Sequence, residues 1–355
     1  MTQRKLKVYQ LESNAVCAPY RLIYPGNALT RLTDIQVTLL RDVGQREYDE
    51  VLREADLFVI QRMELVPDLA DLIEELNRRG IIVVYDIDDD LPHLDPASRQ
   101  ATLNPGNYAP RIESCIRACQ CVQCATEELA GSLAGIHPEV AVLENQLDHV
   151  PPLVENPVQR QVTVVGYAAG SDHGHDWPLV RDAYNRALAE LARRGREIET
   201  WIVGDQGIFD SVASARKRLL PLLPRDEYMK FLGAIDISIM PLKESAFNRS
   251  KSDIKYLESA AMGTPVLGSD LVYGRTISDG ETGLVFRSAE EFASQLTRLV
   301  GDRPFQRRIA DAAYRYVKSN RLIDQHAARW ASVYKGWHAR RAELLRRTAA
   351  KAWSF

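Results

Sequence analysis

Residues 246–286, AFNRSKSDIKYLESAAMGTPVLGSDLVYGRTISDGETGLVF, decide how the rest of this chain is read. A basic, polar loop carrying Asn248, Arg249, Ser250 and Lys251 runs into a helix that opens at about Ser252. The helix presents Lys255 and Glu258 and closes in the small residues Ala260, Ala261 and Gly263. A buried strand at residues 264–268 follows at once. Cationic side chains and free N–H groups at a helix N-terminus make an anion site. An ionised Glu only accepts hydrogen bonds, which suits the paired hydroxyls of a ribose. The stretch therefore implies a helix-and-strand unit that holds a diphosphate joined to a ribose.

Outward from this stretch, short apolar runs alternate with helical segments. In the second half, strands are expected at 162–167, 199–203, 235–240, 265–268 and 283–286, with helices at 178–194, 209–220, 252–262, 289–299 and 304–319. In the first half the strands fall at 6–11, 35–40, 57–60, 81–86, 122–126 and 141–143, with helices at 47–55, 66–79 and 110–119. Such alternation, with strands apolar along their whole length, predicts parallel sheets covered on both faces. Residues 149–160, HVPPLVENPVQR, hold three prolines and no periodicity, and read as a linker. The expected fold class is α/β, two doubly wound Rossmann-like domains facing a cleft. The domains are placed at 1–150 and 161–322, with a final helix at 323–355. Ligands of such sheets bind beyond the carboxyl ends of the strands.

The totals agree with this division. A chain of 355 residues, 45% hydrophobic and 26% charged, is globular and large enough for two domains. A net charge of -3 and a pI near 6.2 give no case for nucleic acid as a partner. Five cysteines, an odd number in a long chain, fit a reducing cytoplasm better than a disulfide framework. The opening MTQRKLKVYQLESNA lacks the apolar core of a signal peptide. No run nears the roughly 20 apolar residues that span a bilayer. A cytoplasmic protein is expected. From 335 to 351 six Lys/Arg face one acid, Glu343, on a helical pattern that also carries Trp330, Tyr334 and Trp337. That helix either makes peripheral contact with the inner face of a membrane or packs on the domains with its cations in water.

Four further groups carry chemistry. The loop Gly170-Ser171-Asp172-His173-Gly174-His175-Asp176 follows the first strand of the second half, where its glycines let backbone approach a phosphate. No GxGxxG or P-loop spacing occurs there. His173 is placed to touch the transferred sugar or phosphate; a metal held by the loop is the weaker alternative. Asp86-Ile-Asp88-Asp89-Asp90 ends a buried strand and reads as an acceptor site or general base, as a metal site, or as loop structure. Tyr20, Arg21 and Tyr24 follow the first strand across Pro19 and either line the cleft or pack. Cys115, Cys119, Cys121 and Cys124 are crowded, but their spacing splits them between helix and strand and favours buried thiols over a metal centre.

The second half resembles the donor domain of GT-B glycosyltransferases, especially the large group that includes bacterial surface-polysaccharide enzymes. The resemblance runs in order over about 162–320: Gly166-Tyr-Ala-Ala-Gly170-Ser171, the His173-x-x-Asp176 spacing, Trp201-Ile-Val-Gly204-Asp205, Asp236-Ile-Ser-Ile-Met-Pro241, Lys255-Tyr-Leu-Glu258-Ser-Ala-Ala-Met-Gly263-Thr-Pro265, and Asp279-Gly280-Glu-Thr-Gly283. The first half matches in architecture, and in the run from Val84 to Asp90. Many retaining members carry Glu-x7-Glu; here Glu258 stands for the second Glu and Ser250 for the first, so the first Glu's role does not transfer.

The resemblance implies a nucleotide-sugar glycosyltransferase acting on a hydroxyl of a glycan or lipid-linked glycan, with the final helix at 323–355 crossing back to the first domain. It needs no cofactor and no metal, and retention is the favoured outcome. Gly170, Ser171, Gly204, Asp205, Asn248, Ser252, Lys255 and Glu258 are expected to bind the nucleotide sugar. Arg249, Lys251 and His173 are expected to act on the departing phosphate, and Asp88 to serve as base if transfer inverts. Tyr20, Arg21, Asp86 and Asp89 are expected to meet the acceptor. Two other readings remain open: a non-catalytic binding subunit of the same fold, and a nucleotide-sugar 2-epimerase.

Overall fold

The computed structural model describes residues 4–42, 44–94, 101–102, 106–153, 161–170 and 173–349, with residues 348 and 349 as backbone only. In the first half β1 (Leu6–Leu11), β2 (Ile35–Leu40), β3 (Leu57–Gln61), β4 (Ile82–Ile87), β5 (Cys121–Cys124) and β6 (Val140–Val142) form one parallel sheet in the order β2-β1-β3-β4-β5-β6. Helices Gln45–Glu54, Pro67–Arg78 and Tyr108–Ala118 cover one face, setting Val51, Ile73, Ile112 and Ile116 on Phe58, Ile60, Val83 and Tyr85. The other face takes helix Tyr24–Leu32 and helix Ile323–Ala339 from the far end of the chain. There Trp330, Tyr334 and Trp337 pack with Val8, Leu29, Val59 and Val84. Burial on both faces is why the central strands β3 and β4 are apolar over most of their length.

The second half repeats the plan. Its strands are β7 (Thr163–Ala168), β8 (Ile198–Val203), β9 (Lys217–Leu220), β10 (Ile237–Met240), β11 (Val266–Ser269) and β12 (Leu284–Phe286), in the order β12-β11-β10-β7-β8-β9. Helices Arg181–Arg193 and Ala289–Gly301 pack on one face, Ile254–Ala261 and Arg303–Asn320 on the other. The architecture is α/β, two doubly wound parallel sheets. Their carboxyl-end loops meet: Thr126 donates to the Ser250 carbonyl at 2.8 Å, Asn145 to Ser252 Oγ at 2.9 Å, and Arg275 pairs with Glu128 at 2.7 Å.

Three local expectations need correction. The helix expected at 209–220 ends at Ser211, and Lys217–Leu220 is an edge strand beside β8. Lys217 closes the short helix by donating to the carbonyls of Phe209 and Val212 at 2.8 and 2.9 Å, which turns the chain back along the sheet. The stretch that carries Tyr20, Arg21 and Tyr24 is given no helix by the sequence, yet Pro25-Gly26 sits in the first turn of helix Tyr24–Leu32, where proline's missing N–H has no partner to lose. A Cβ on Gly26 would stand 3.0 Å from Gln10 Oε1 and from Val37, so only glycine lets this helix lie so close to the sheet. The single terminal helix is two, Ile323–Ala339 and Arg341–Ala349, broken at Arg340. Three of its cations are paired: Arg340 and Arg347 with Glu139 at 2.7 and 3.3 Å, and Lys335 with Asp34. Among the described residues no helix is long and apolar enough to cross a membrane.

Candidate donor and acceptor site

The centre of the site lies beyond the carboxyl ends of β7 and β10. The chain leaves β7 at Ala168, turns at Gly170 and returns His173 over the start of helix Ile254–Ala261. His173 donates from Nδ1 to Asp176 Oδ2 at 2.7 Å, and its Nε2 accepts from the Lys255 ammonium at 2.9 Å. Lys255 also donates to the Ala168 carbonyl at 3.1 Å. Burial, with Lys255 beside it, drives the His173 pKa down to about 4, so the ring is neutral near pH 7. Only a neutral ring can accept from Lys255 while donating to Asp176, so charge and geometry agree. Asp176 is buried; desolvation pushes its carboxyl up, but His173, the Lys243 N–H and Lys251 together hold it below the usual range. Its second oxygen accepts from the Lys243 N–H at 2.7 Å and from Asn248 Nδ2 at 2.9 Å. Asn248 thereby ties the loop 243–248 to the His173 loop.

Gly170 and Gly204 meet back to back. Gly170 N–H donates to the Val203 carbonyl at 3.0 Å, and a Cβ on Gly204 would lie 3.0 Å from the Gly170 carbonyl oxygen. Both glycines have positive φ, +60° and +85°. Asp205 follows and caps helix Gln206–Ser211 by accepting from Ile208 N–H at 2.9 Å. Ser171 lies outside the described residues. A small pocket under this loop is lined by Tyr167, His173, Tyr228, Met240, Lys255 and Tyr273.

One turn beyond Lys255, on the same helix face, stands Glu258, only 5% exposed. Burial is the largest influence on its carboxyl and raises its pKa to about 7, against the pull of Arg225 and Lys255. Arg225 reaches its Oε1 at 3.1 Å, Tyr228 bonds it as well, and Tyr20 of the first domain donates to the same oxygen. Arg225 and Tyr228, on helix Arg225–Ala234, were not foreseen: nothing in Pro224-Arg225-Asp226-Glu227-Tyr228 distinguishes it from an ordinary helix start.

Across the cleft, the loop after β4 presents Asp88 and Asp89. Arg62, which stands at φ +49° just past β3, donates to Asp88 at 2.9 Å and lies 3.3 Å from Asp89. Lys251 approaches Asp89 at 3.7 Å from the second domain and rests on the Phe247 ring. Desolvation raises the Asp89 carboxyl, but Lys251, Arg62 and His173 together hold it below the usual range. Asp90 turns inward to His93 and Ser132 at 2.8 and 2.7 Å. Arg62 was also unforeseen; a basic residue after a strand carries no signal by itself.

The remaining expected residues stand apart from this cluster. Arg21 and Asp86 are wholly buried and face each other at 2.9 Å, with Gln123 donating to the same Asp86 oxygen. They brace the first sheet beneath the cleft, where no acceptor reaches them. Arg249 is 57% exposed and pairs with Glu244. Ser252 is held by Asn145, and its neighbour Asp253 by Arg321 at 2.6 Å. Cys115, Cys119, Cys121 and Cys124 are all buried and free, and burial pushes the thiols of Cys119, Cys121 and Cys124 up. Among the described residues no group of three or more His, Cys, Asp or Glu forms a metal-ligand set.

Residues 159–302 match the family model described as Glycosyl transferases group 1. The second domain is therefore similar to this family, on a fold of the GT-B type. The chain superposes on HepE of Anabaena, solved in complex with UDP and glucose, with a TM-score of 0.59 at 14% identity, over 93% of this chain and 100% of that one. A glycosyltransferase of Rickettsia africae gives 0.60 at 12% identity, over 94% and 99%. Sucrose-phosphate synthase of Thermosynechococcus elongatus gives 0.59 at 12%, over 94% and 100%. At such identities these likenesses speak for the fold alone. No curated protein matches the chain.

Proposed function

We propose that this protein moves a sugar from a nucleoside diphosphate to a hydroxyl of a glycan or lipid-linked glycan, retaining its anomeric configuration and requiring no metal. The carrying observation is the line Asp176–His173–Lys255, which fixes an ammonium one helical turn from the buried carboxylate of Glu258. Glu258 accepts from the ribose hydroxyls, and Lys255 meets the diphosphate. When the anomeric C–O bond breaks, negative charge grows on the leaving phosphate, and a cation fixed in a half-dry site stabilises that charge without reorganising. Lys251 adds positive potential from the same side. A divalent ion has no task left there that these cations do not perform.

Retention is supported by the condition of the carboxylates opposite. An inverting transfer needs a base in line with the acceptor hydroxyl. Asp89 is held below the usual range by Lys251 and Arg62, which makes it a weak base, and Asp88 has an oxygen occupied by the Arg62 guanidinium. They serve better as acceptors for sugar hydroxyls, with Arg62 ordering them. The binding-subunit reading draws on Ser250, buried where many retaining members have a glutamate, with its carbonyl bound by Thr126.

The test is thermal shift with nucleoside diphosphates and their sugars, beginning with UDP and UDP-glucose because HepE was solved with them. One compound is expected to raise the melting temperature at millimolar concentration, and its sugar to be transferred with excess chelator present. No shift with any of them overturns the donor assignment; a shift without turnover favours the binding subunit.

A further inference from the structure

Tyr20 and Glu258 belong to different domains, and 238 positions separate them in the chain. Tyr20 sits on the π-turn Pro19–Ile23, which runs directly into helix Tyr24–Leu32. Its backbone is anchored by the two residues that follow, Arg21 in its buried pair with Asp86 and Leu22 in the core of the first sheet. The ring itself is 7% exposed and packs edge-on against Tyr24, with centroids 5.7 Å apart, among Tyr256, Leu257 and Met240 of the second domain. The hydroxyl donates to Glu258 Oε1. Arg225 lies over both rings, 4.8 Å from Tyr20 and 5.6 Å from Tyr24, and reaches the same oxygen.

A ribose hydroxyl is also an O–H donor, and it seeks the carboxylate that Tyr20 already holds. We propose that Tyr20 is a displaceable stand-in for the ribose: it latches the first domain to the donor carboxylate, and a nucleoside diphosphate enters by taking its place. The inference rests on the assignment of Glu258 to the ribose. The latch explains why a first-domain side chain reaches a second-domain carboxylate that is otherwise served by Arg225 and Tyr228. It also makes donor entry an event that loosens one contact between the domains, which sets donor ahead of acceptor in the order of binding.

The decisive experiment is a titration calorimetry cycle with UDP, or whichever nucleoside diphosphate the thermal screen selects, on wild type, Tyr20→Phe, Glu258→Ala and the double variant. Tyr20→Phe keeps the ring and removes only the competing hydrogen bond. It is expected to bind about five- to tenfold tighter, the worth of one hydrogen bond. In the Glu258→Ala background the same change is expected to leave affinity where it was. Unchanged or weaker binding by Tyr20→Phe, with Glu258→Ala still weakening, overturns the latch and spares the ribose assignment. Wild-type affinity in Glu258→Ala overturns the ribose assignment itself.

Discussion

At the residue scale the site turns on Lys255, whose ammonium is fixed in place over the start of its helix. Among its acceptors are the Ala168 carbonyl and the neutral His173 imidazole. Asp176 acts one residue removed, orienting His173 and fixing which of its nitrogens carries the proton. The ammonium is thereby held ready for a phosphate. Lys255→Met is expected to lower kcat on the order of 10²-fold, the cost of removing one preorganised donor from a developing oxyanion. KM for the donor should change much less, since a stronger interaction in the transition state than in the ground state appears in kcat. Steady-state rates with saturating acceptor check both. The pieces of this line were legible as the spacing His173-x-x-Asp176 and as Lys255 after a basic loop; their joining was not. That depends on Gly170 turning the loop back over the helix, a long-range fact that no local pattern records. Arg249 shows the converse. It is as basic in sequence as Lys251, yet it points to Glu244 and solvent while Lys251 points across the cleft.

At the scale of elements, the approach of the loops after β7 and β8 is set by two glycines in contact. Gly204→Ala places a methyl 3.0 Å from the Gly170 carbonyl oxygen and closer still to Leu222, at a φ of +85° that an L side chain rarely adopts. It is expected to destabilise the second domain by roughly 1–3 kcal/mol. It should also weaken donor binding by displacing the Gly170 turn. Urea denaturation followed by Trp201 and Trp177 fluorescence, with a UDP titration beside it, measures the two effects separately. Most elements were readable because burial on both faces leaves long apolar runs. β1 and β2 occupy the very residues that such runs predict, 6–11 and 35–40. The misses share a cause. Lys217–Leu220 is an edge strand with a charged half, and helix Tyr24–Leu32 opens on Pro25-Gly26; each carries residues whose local preference points elsewhere. Packing on a neighbour overrides that preference: β8 for the strand, β1 and β2 for the helix.

At the scale of the whole molecule, the chain returns to its beginning. Alternation of strand and helix was enough to show two parallel sheets, but the return of the last helix to the first domain was legible only through the family resemblance, because its partner is a property of the assembled fold. Helix Ile323–Ala339 fills the face of the first sheet beside helix Tyr24–Leu32, so the first domain is incomplete without residues from beyond the second. Trp330 is the largest side chain in that contact and is almost wholly buried; it lies under the Arg21 guanidinium at 5.7 Å and against Tyr334. Trp330→Ala removes this packing and loosens the support of the buried Arg21–Asp86 pair. The expected cost is about 3–5 kcal/mol, the range for emptying an aromatic site in a core. Because the loss falls on one domain, unfolding should cease to be a single event. Differential scanning calorimetry is expected to show an early transition for the first domain and a later one for the second. UDP should still raise the later transition, since Lys255 and the His173 loop lie wholly in the second domain. A single transition shifted as a whole would mean that the two domains unfold as one body, with the final helix holding the second domain as firmly as the first.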